Sequence, residues 1–315
     1  MHRLAARWGI GIGLGAVVYL GLAVYAGWDE LRETLALFRW WLLFPVLALS
    51  LANYFLRFVR WHLYLRRSAI PLAVLPSLRI FFSGLVMSVT PGKLGELLKA
   101  YLVRTETGAA VTQTAPIVIA ERVTDLLALV VLLFIGSVIE RSGWIELAIS
   151  GAITVVLVAG LASVRVASWV LHVVARMPGL HRFGERLEHA HRSMRALLRP
   201  RLLVEATVLG TLAWFAECLG FALVASGFGA TLAVARATFI YAFATLVGAL
   251  LLLPGGLGGT EGSMIAFLVG DGLARPRAVG VTFLTRIATL WFAVLLGALV
   301  LLGFRRARLG DQPLA

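Results

Sequence analysis

The chain has 315 residues, of which 60% are hydrophobic and 14% are charged, against about 25% charged residues in an average soluble domain. A soluble fold of this size cannot hide so much apolar surface, so the composition excludes a soluble enzyme and also a disordered chain. The net charge is +13, and most of the basic residues flank long apolar segments. That arrangement is typical of an α-helical membrane protein that contacts anionic lipid, and we expect no nucleic-acid partner.

Six uninterrupted apolar segments are long enough to cross a bilayer, which requires about 17–25 residues. In chain order they are residues 8–27, 40–64, 114–139, 144–164, 202–227 and 278–304. The first segment has features of a signal peptide, but it is long for one, and we treat it as an uncleaved helix. The sequence therefore predicts an all-α, polytopic integral membrane protein with about six full spans.

Two further apolar segments contain helix-breaking residues. Residues 80–103 are interrupted at Pro91-Gly92, and residues 239–270 are interrupted at Pro254-Gly255-Gly256. Proline removes a backbone donor and blocks a continuous helix. We predict that each segment forms a re-entrant helical hairpin that enters and leaves on the same side of the membrane. If either segment spans fully, the number of spans rises to seven or eight.

The distribution of basic residues supports this topology. With a cytoplasmic N-terminus and two re-entrant hairpins, the cytoplasmic segments hold 19 lysines or arginines, whereas the outer segments hold six. The cytoplasmic segments include the loop from Arg60 to Arg79, the end of the first hairpin with Lys99, and the tail 305–315. This excess predicts a cell (inner) membrane protein with both termini in the cytoplasm. Residues 1–315 then form a single transmembrane domain.

The longest polar segment, residues 165–201, connects the two halves of the chain. Beyond Pro178-Gly179, apolar residues recur at helical spacing and arginines occupy much of the remaining face. This pattern predicts a cytoplasmic amphipathic helix on the inner leaflet. The alternative is a basic connector that only follows the positive-inside distribution.

The two Pro-Gly motifs indicate an internal repeat. Residues 91–96, Pro-Gly-Lys-Leu-Gly-Glu, are similar to residues 254–261, Pro-Gly-Gly-Leu-Gly-Gly-Thr-Glu, and an arginine follows each final glutamate after 26 and 25 residues. Three predicted spans separate the motifs, so the two copies are expected to have inverted orientations. Inverted repeats with broken helices are typical of transporters whose site lies near the bilayer midplane.

The Pro-Gly breaks predict a site for an anion. Exposed backbone is costly in lipid, so such breaks are expected inside protein or beside a wet cavity. A new helix is predicted to begin after each break, near Leu94 and near Thr260, and its free N–H groups and dipole favour phosphate. The alternative is a structural kink that packs two helices. Together with nearby cations, these positions give the candidate lipid-headgroup ligands: Gly92, Lys93, Gly95, Arg122, Gly255, Gly256, Gly258 and Arg286.

Acidic residues at membrane depth are candidates for balancing these cations or for carrying a coupling proton. Each intramembrane charge costs roughly 2.5–3.5 kcal/mol on insertion scales, so pairing is expected. Arg122 and Asp125 are predicted to pair locally, and a second cation is expected to approach Glu121 and Asp125. The inverted repeat favours crosswise pairs between hairpin glutamates and helix arginines, but the sequence does not determine which residues pair. The alternative role is structural salt bridging. The candidates are Glu96, Glu121, Asp125, Glu217 and Glu261.

Motifs of soluble catalytic chemistry are absent. The sequence contains no HExxH, GxSxG or CxxC motif. His189 and His191 are two residues apart and point to different faces of a helix, so we expect no metal site and no cofactor. The single cysteine, Cys218, is expected to pack as a small hydrophobe. Trp40-Trp41 and Trp61 are expected to lie at the membrane interface.

Taken together, the motifs resemble the flippase-like membrane domain of lysylphosphatidylglycerol synthases over roughly residues 5–305. The resemblance rests on residues 57–61, 91–96, 121–125, 254–261 and 286–291. It implies a stand-alone member of that family, whose membrane domain moves a modified phospholipid from the inner to the outer leaflet. The full synthases also carry a soluble C-terminal domain that transfers an aminoacyl group from charged tRNA. Because no such domain follows the last predicted helix, we expect no aminoacyl transfer.

The sequence therefore predicts a lipid translocase and not an enzyme. The expected partners are membrane lipids that are anionic or phosphate-bearing: a phospholipid, an aminoacylated phospholipid or a polyprenyl phosphate. One alternative is a non-catalytic assembly subunit of a lipid or glycolipid pathway. Another is an intramembrane lipid-modifying enzyme that uses Glu121 or Asp125 as its acid or base. The sequence also leaves open a homo-oligomer or a complex with a pathway enzyme.

Overall fold

The computed structural model describes residues 2–90, 97–140, 148, 152, 196–251 and 253–310, and every regular element within these ranges is helical. The described part of the N-terminal half contains helices α1 (His2–Ala26), α2 (Trp28–Ala36), α3 (Leu43–Arg67), α4 (Val74–Leu85), α5 (Leu97–Thr107) and α6 (Val111–Ile139). A short 3-10 helix, Trp40–Leu42, leads into α3, and another, Val86–Val89, continues α4. The predicted all-α class is confirmed for these residues.

The described part of the C-terminal half contains helices α7 (Pro200–Gly227), α8 (Val234–Leu250), α9 (Gly259–Gly270), α10 (Arg275–Arg286) and α11 (Phe292–Gly310). Proline lies in the first turn of α7 and of α10, where its missing N–H leaves no intrahelical bond unmade. A 3-10 turn, Pro254–Gly256, separates α8 from α9. A π-helical turn, Ile287–Trp291, joins α10 to α11.

Four of these helical segments are long and apolar enough to cross a membrane. They are Trp40–Arg67, Val111–Ile139, Pro200–Gly227 and Arg275–Gly303. Each corresponds to a predicted span. The first predicted span contains a shorter apolar helix, Gly13–Ala26. The predicted span 144–164, apart from residues 148 and 152, lies outside the described residues, as do residues 165–195 of the predicted amphipathic connector and the end of the tail from 311 onward.

Both apolar segments with a predicted break have helices on either side of it. In the second segment, α8 ends at Leu250, and α9 begins at Gly259 and packs against α8. This confirms the helix–break–helix arrangement there. In the first segment, α4 precedes the break, and α5 follows it and packs against α4. The first motif itself, residues 91–96, lies outside the described residues.

The helices pack so that the two halves of the chain interleave. Helix α7 packs against α3 and α6, α8 packs against α6, and α11 packs against α4. The 3-10 turn Val86–Val89 contacts the turn Pro254–Gly256, so the regions next to both breaks meet in the interior. Cys218 is fully buried in this packing, as expected for a small apolar residue.

The outer surface of the described helices carries large apolar side chains. Val24 is 80% exposed, Phe44 is 78% exposed and Val204 is 62% exposed. Exposed apolar surface on this scale is unfavourable in water but favourable against acyl chains. The surface therefore agrees with the spans identified from length and composition.

Three side chains, two near the end of α3 and one in α5, lie in a different environment from the one predicted from the sequence. Arg60 was expected in a cytoplasmic loop, Lys99 at the cytoplasmic end of the first hairpin and Trp61 at the membrane interface, but all three side chains are buried in the protein. Arg60 and Trp61 lie within α3, and Arg60 turns inward because it bonds to Asp125 of α6. Lys99 turns inward because it bonds to Glu121, also of α6. Trp40 and Trp41, by contrast, are exposed at the start of their span.

We expect the substitution Gly297→Ala to lower the thermal stability of the detergent-solubilised protein. A Cβ at Gly297 would lie 2.5 Å from the Val86 nitrogen and 2.8 Å from the Phe82 carbonyl oxygen, so α11 would have to move away from α4. Overpacking of this kind costs about 1–3 kcal/mol. Gly303→Ala is the matched control, because it lies in the same helix with nothing within 4 Å. Equal melting temperatures for the two variants would contradict the close packing.

Candidate functional site

The first group of interior charges surrounds one carboxylate. We define the Asp125 cluster as Asp125, Arg57, Arg60, Arg122 and Trp214. Arg60 donates a hydrogen bond of 2.6 Å to Asp125, and the Trp214 indole N–H donates one of 3.1 Å. Arg122 lies 3.1 Å from the second carboxylate oxygen, and Arg57 lies 3.8 Å from it. Three arginines thus share one acidic partner in the protein interior.

Helix periodicity explains how the Asp125 cluster forms. Arg57 and Arg60 are three residues apart on α3, and Arg122 and Asp125 are three residues apart on α6, so each pair shares one helix face. The predicted Arg122–Asp125 pair is confirmed, and so is the approach of further cations to Asp125.

A second group of interior charges lies at the Pro254 break. We define the Glu261 bridge as Glu261, Arg286, Gly255 and Gly258. Arg286 Nε donates to Glu261 Oε1 at 2.6 Å, while Arg286 Nη2 donates to the Gly255 carbonyl. The other Glu261 oxygen accepts the Gly258 N–H at 2.7 Å. One ion pair therefore fixes the irregular turn, the first turn of α9 and the end of α10 relative to one another.

The Glu261 bridge corrects one expectation. Crosswise pairs between the halves of the inverted repeat were predicted, but Glu261 pairs with Arg286 of its own half. The cause is local: α9 and α10 are consecutive helices that pack against each other.

Gly258, at the N-terminus of α9, adopts a positive φ of 87°, which favours glycine, and its N–H is already bonded to Glu261.

A third pair is separate from these two groups. Lys99 Nζ lies 2.6 Å from Glu121 Oε2, and both side chains are buried. The ammonium group also lies 4.5 Å from the ring centre of Trp61 and 5.3 Å from that of Phe81. A cation on aromatic faces is stabilised by their quadrupoles. The cation expected near Glu121 is therefore Lys99.

A cavity of about 230 Å³ lies between the Asp125 cluster and the Glu261 bridge. Five charged side chains from four helices line it: Arg57, Arg122, Asp125, Glu217 and Arg286. Hydroxyl-bearing side chains complete the polar lining: Tyr54, Ser88, Tyr241, Thr245, Thr260 and Thr289. The cavity therefore joins both charged groups to the region where the turn Val86–Val89 meets the turn Pro254–Gly256.

Hydrogen bonds organise the cavity wall. The Tyr241 hydroxyl donates to Glu217 Oε2 at 2.5 Å, and the Tyr54 hydroxyl donates to the Thr289 carbonyl within the π-helical turn. π-Helical turns are frequent at functional sites because they displace the helix register locally. Here the turn directly follows Arg286 and places Thr289 and Leu290 in the cavity lining.

The structure brings many of the predicted site residues together. Six of them line the cavity: Arg122, Asp125, Glu217, Gly255, Gly256 and Arg286. Glu261 and Gly258 lie behind this lining in the Glu261 bridge, whereas Glu121 belongs to the separate pair with Lys99. Gly92, Lys93, Gly95 and Glu96 lie outside the described residues.

Several residues of the site were not assigned to it from the sequence. Arg57 entered only as the first residue of the segment 57–61 on which the resemblance rests. Arg60 was assigned to a cytoplasmic loop and Lys99 to the cytoplasmic end of the first hairpin. Arg60 follows Arg57 by three residues, so its shared helix face was the available signal. Trp214 and Tyr241 carry no sequence signal of this kind, because aromatic residues are common in apolar helices.

Comparison with known proteins gives a match over most of the chain. The family described as "Lysylphosphatidylglycerol synthase TM region" matches residues 8–297. A UPF0104 membrane protein of Methanothermobacter thermautotrophicus is 29% identical over 227 residues, which are 64% of this chain and 67% of that protein. A UPF0104 membrane protein of Pyrococcus horikoshii is 22% identical over 276 residues, which are 79% of this chain and 82% of that protein.

The chain belongs to the lysylphosphatidylglycerol synthase transmembrane-region family, and the resemblance inferred from its motifs is confirmed. The matched residues include the Asp125 cluster and the Glu261 bridge. The chain is thus a membrane protein with membrane-protein relatives.

Proposed function

We propose that this member of the lysylphosphatidylglycerol synthase transmembrane-region family moves a phosphate-bearing lipid between the two leaflets of the cell membrane. The headgroup would enter the cavity between the Asp125 cluster and the Glu261 bridge. The acyl or prenyl chains would stay in the surrounding bilayer. Both termini are assigned to the cytoplasm from the excess of basic residues on that side.

One observation carries this proposal: three arginines from different helices line a single interior cavity. Arg57 comes from α3, Arg122 from α6 and Arg286 from α10. Guanidinium groups suit phosphate because their planar N–H groups donate two parallel hydrogen bonds to its oxygens. A headgroup in the hydrocarbon region is otherwise strongly disfavoured, since its charge loses hydration there. Arginines inside the protein would replace that hydration.

The carboxylates of the site have a complementary role in this proposal. Asp125 and Glu261 balance the arginine charge and hold the guanidinium groups in place. Glu217, which accepts a hydrogen bond from Tyr241, is the lining carboxylate that we assign to a coupling proton. Glu121 balances Lys99 away from the cavity, which gives that pair a structural role.

Leaflet exchange in liposomes tests the proposal. The purified protein is reconstituted with lipids labelled on the headgroup, and the fraction of label accessible from outside is followed over time. We expect exchange of at least one phosphate-bearing lipid well above protein-free liposomes. Arg122→Gln is expected to reduce the rate about 10- to 100-fold, because it removes one charged donor to the phosphate.

Arg201→Gln is the matched control for this experiment. Arg201 is an arginine at the start of α7 whose side chain is 89% exposed, so its loss is expected to leave exchange unchanged. Exchange at the protein-free rate for every lipid, with helix content intact, would refute translocation. A wild-type rate in Arg122→Gln would remove the cavity from the mechanism and favour an assembly role.

A further inference from the structure

We propose that the cavity selects lipids by headgroup charge, accepting an anionic phosphate headgroup and rejecting one that carries an added ammonium group, with Arg57 as the specificity-determining residue. This inference rests on the proposed function and narrows its cargo. Among the three lipid classes compatible with the sequence, it favours unmodified phospholipids and polyprenyl phosphates over aminoacylated phospholipids.

The charge balance of the described site is positive. Three arginines and two carboxylates line the cavity. Arg60 and Glu261 lie directly behind this lining and each bonds to one of these groups. Among the described residues of the site, four arginines therefore face three carboxylates, so an incoming group meets an excess of positive charge. An anion reduces the electrostatic energy of this arrangement, whereas a cation increases it.

The carboxylates are already engaged. Asp125 accepts hydrogen bonds from Arg60 and Trp214 and contacts Arg122. Glu261 is held by Arg286 and the Gly258 N–H, and Glu217 accepts a hydrogen bond from Tyr241. An ammonium group in the cavity would have to displace one of these donors. Because a displaced arginine would then lie buried without its partner, that exchange is unfavourable.

Arg57 is the lining arginine with the weakest protein partner. Its nearest carboxylate oxygen, on Asp125, lies at 3.8 Å, which is beyond hydrogen-bond distance. Its Nε is buried, and none of the described residues accepts a hydrogen bond from it. The guanidinium group lies 5.5 Å from the ring centre of Trp214, which holds it in place by a cation–π contact. A largely buried, oriented and incompletely bonded guanidinium group is suited to an anionic ligand.

The cavity volume supports the same conclusion. Pockets that enclose a whole drug-sized ligand measure about 300–1,000 Å³. This cavity, at about 230 Å³, is smaller and suits a compact headgroup with its chains outside. Ser88 and Thr245 supply hydroxyl groups for a neutral polar substituent. An aminoacyl extension adds both volume and positive charge, and a compact cavity with an excess of arginines disfavours both.

The test compares leaflet exchange of three lipids in one preparation: phosphatidylglycerol, lysyl-phosphatidylglycerol and a polyprenyl phosphate. We expect at least one of the two anionic lipids to exchange about 10-fold or more faster than lysyl-phosphatidylglycerol. Faster exchange of phosphatidylglycerol identifies a phosphodiester as the cargo chemistry, and faster exchange of the polyprenyl phosphate identifies a phosphomonoester. Exchange of lysyl-phosphatidylglycerol at an equal or higher rate overturns the inference but leaves translocation intact. Absence of exchange for all three lipids overturns both.

The Arg57→Gln variant tests the assigned residue. We expect it to lower the ratio of anionic to lysyl-lipid exchange about 10-fold or more, since the excess positive charge is removed. Arg57→Lys keeps the charge and is expected to retain a preference for anionic lipid, which also covers the case in which Arg57→Gln fails to fold. Arg66→Gln, an exposed arginine on the same helix, is the control. An unchanged ratio in folded Arg57→Gln, or loss of preference in Arg57→Lys, overturns the role of Arg57.

Discussion

Replacing Asp125 with asparagine is expected to lower the stability of the protein by about 3–5 kcal/mol and to abolish lipid movement. The substitution conserves the shape of the side chain but removes its charge. Arg60 is fully buried and bonds directly to Asp125, while Arg57 and Arg122 lie within 4 Å. Three arginines would then lose the one carboxylate that they share, and their mutual repulsion would open the Asp125 cluster.

Thermal unfolding in detergent and leaflet exchange in liposomes measure the two effects of Asp125→Asn. Glu205→Gln is the matched control, because Glu205 also contacts two arginines, Arg67 and Arg201, but at the surface. Surface ion pairs contribute about 0–1 kcal/mol, so the control is expected to remain near wild type. If the two variants unfold at the same temperature, the Asp125 cluster does not organise the interior.

The double variant Asp125→Asn with Arg60→Met separates charge imbalance from lost packing. Replacing both members of a buried ion pair is less harmful than removing one, because no uncompensated charge of that pair is left behind. We expect the double variant to be more stable than Asp125→Asn alone. A further loss of stability instead would show that Arg60 contributes through its packing rather than through its charge.

Replacing Arg286 with glutamine is expected to have an effect of comparable size. Glu261 has no exposed surface and would remain as a buried carboxylate without its cation, at a cost of about 3–5 kcal/mol. The Gly255 carbonyl would lose its guanidinium donor at the same time. The turn Pro254–Gly256 lines the cavity through both glycines, so lipid movement is expected to stop.

Arg286→Lys distinguishes the charge of Arg286 from its geometry. Lysine keeps the charge opposite Glu261, but its compact ammonium group cannot reproduce the fork that reaches both Glu261 and Gly255. We expect stability to return largely to the wild-type value while lipid exchange stays at least about 10-fold slower. Arg275→Lys, an exposed arginine at the other end of α10, is the control. Full exchange in Arg286→Lys would contradict a role for the bridge to Gly255.

Most of the helical architecture was predictable because apolar length is a direct signal in a membrane protein. Each of the four long spans was located from uninterrupted apolar sequence, and the break at Pro254 was located from the residues that interrupt one. Their ends were less accurate, because a helix continues beyond the apolar region when its charged residues find partners in the protein. Arg60 is the example: it was assigned to the cytoplasmic loop that follows the span, but it lies within α3, which ends at Arg67, and bonds to Asp125.

The pairing of the interior charges was only partly predictable. Arg122 and Asp125 are close in sequence, so helical spacing alone placed them together. Glu261 and Arg286 are separated by 25 residues, and their pairing depends on how α9 packs against α10. The symmetry of the motifs pointed instead to crosswise pairs. Repeat symmetry describes the orientation of segments and does not determine which of several nearby partners a side chain contacts.

The most direct test of the account is to locate the lipid phosphate on the protein. A phosphatidylglycerol or polyprenyl-phosphate analogue with a photoreactive group beside the phosphate is reconstituted with the protein, and the labelled residues are identified by mass spectrometry. We predict labelling of cavity residues such as Ser88, Thr245 and Trp214 that unlabelled lipid competes away and that Arg57→Gln reduces. Labelling confined to outward-facing residues such as Val204 and Leu212, with none in the cavity, would contradict headgroup binding between the Asp125 cluster and the Glu261 bridge.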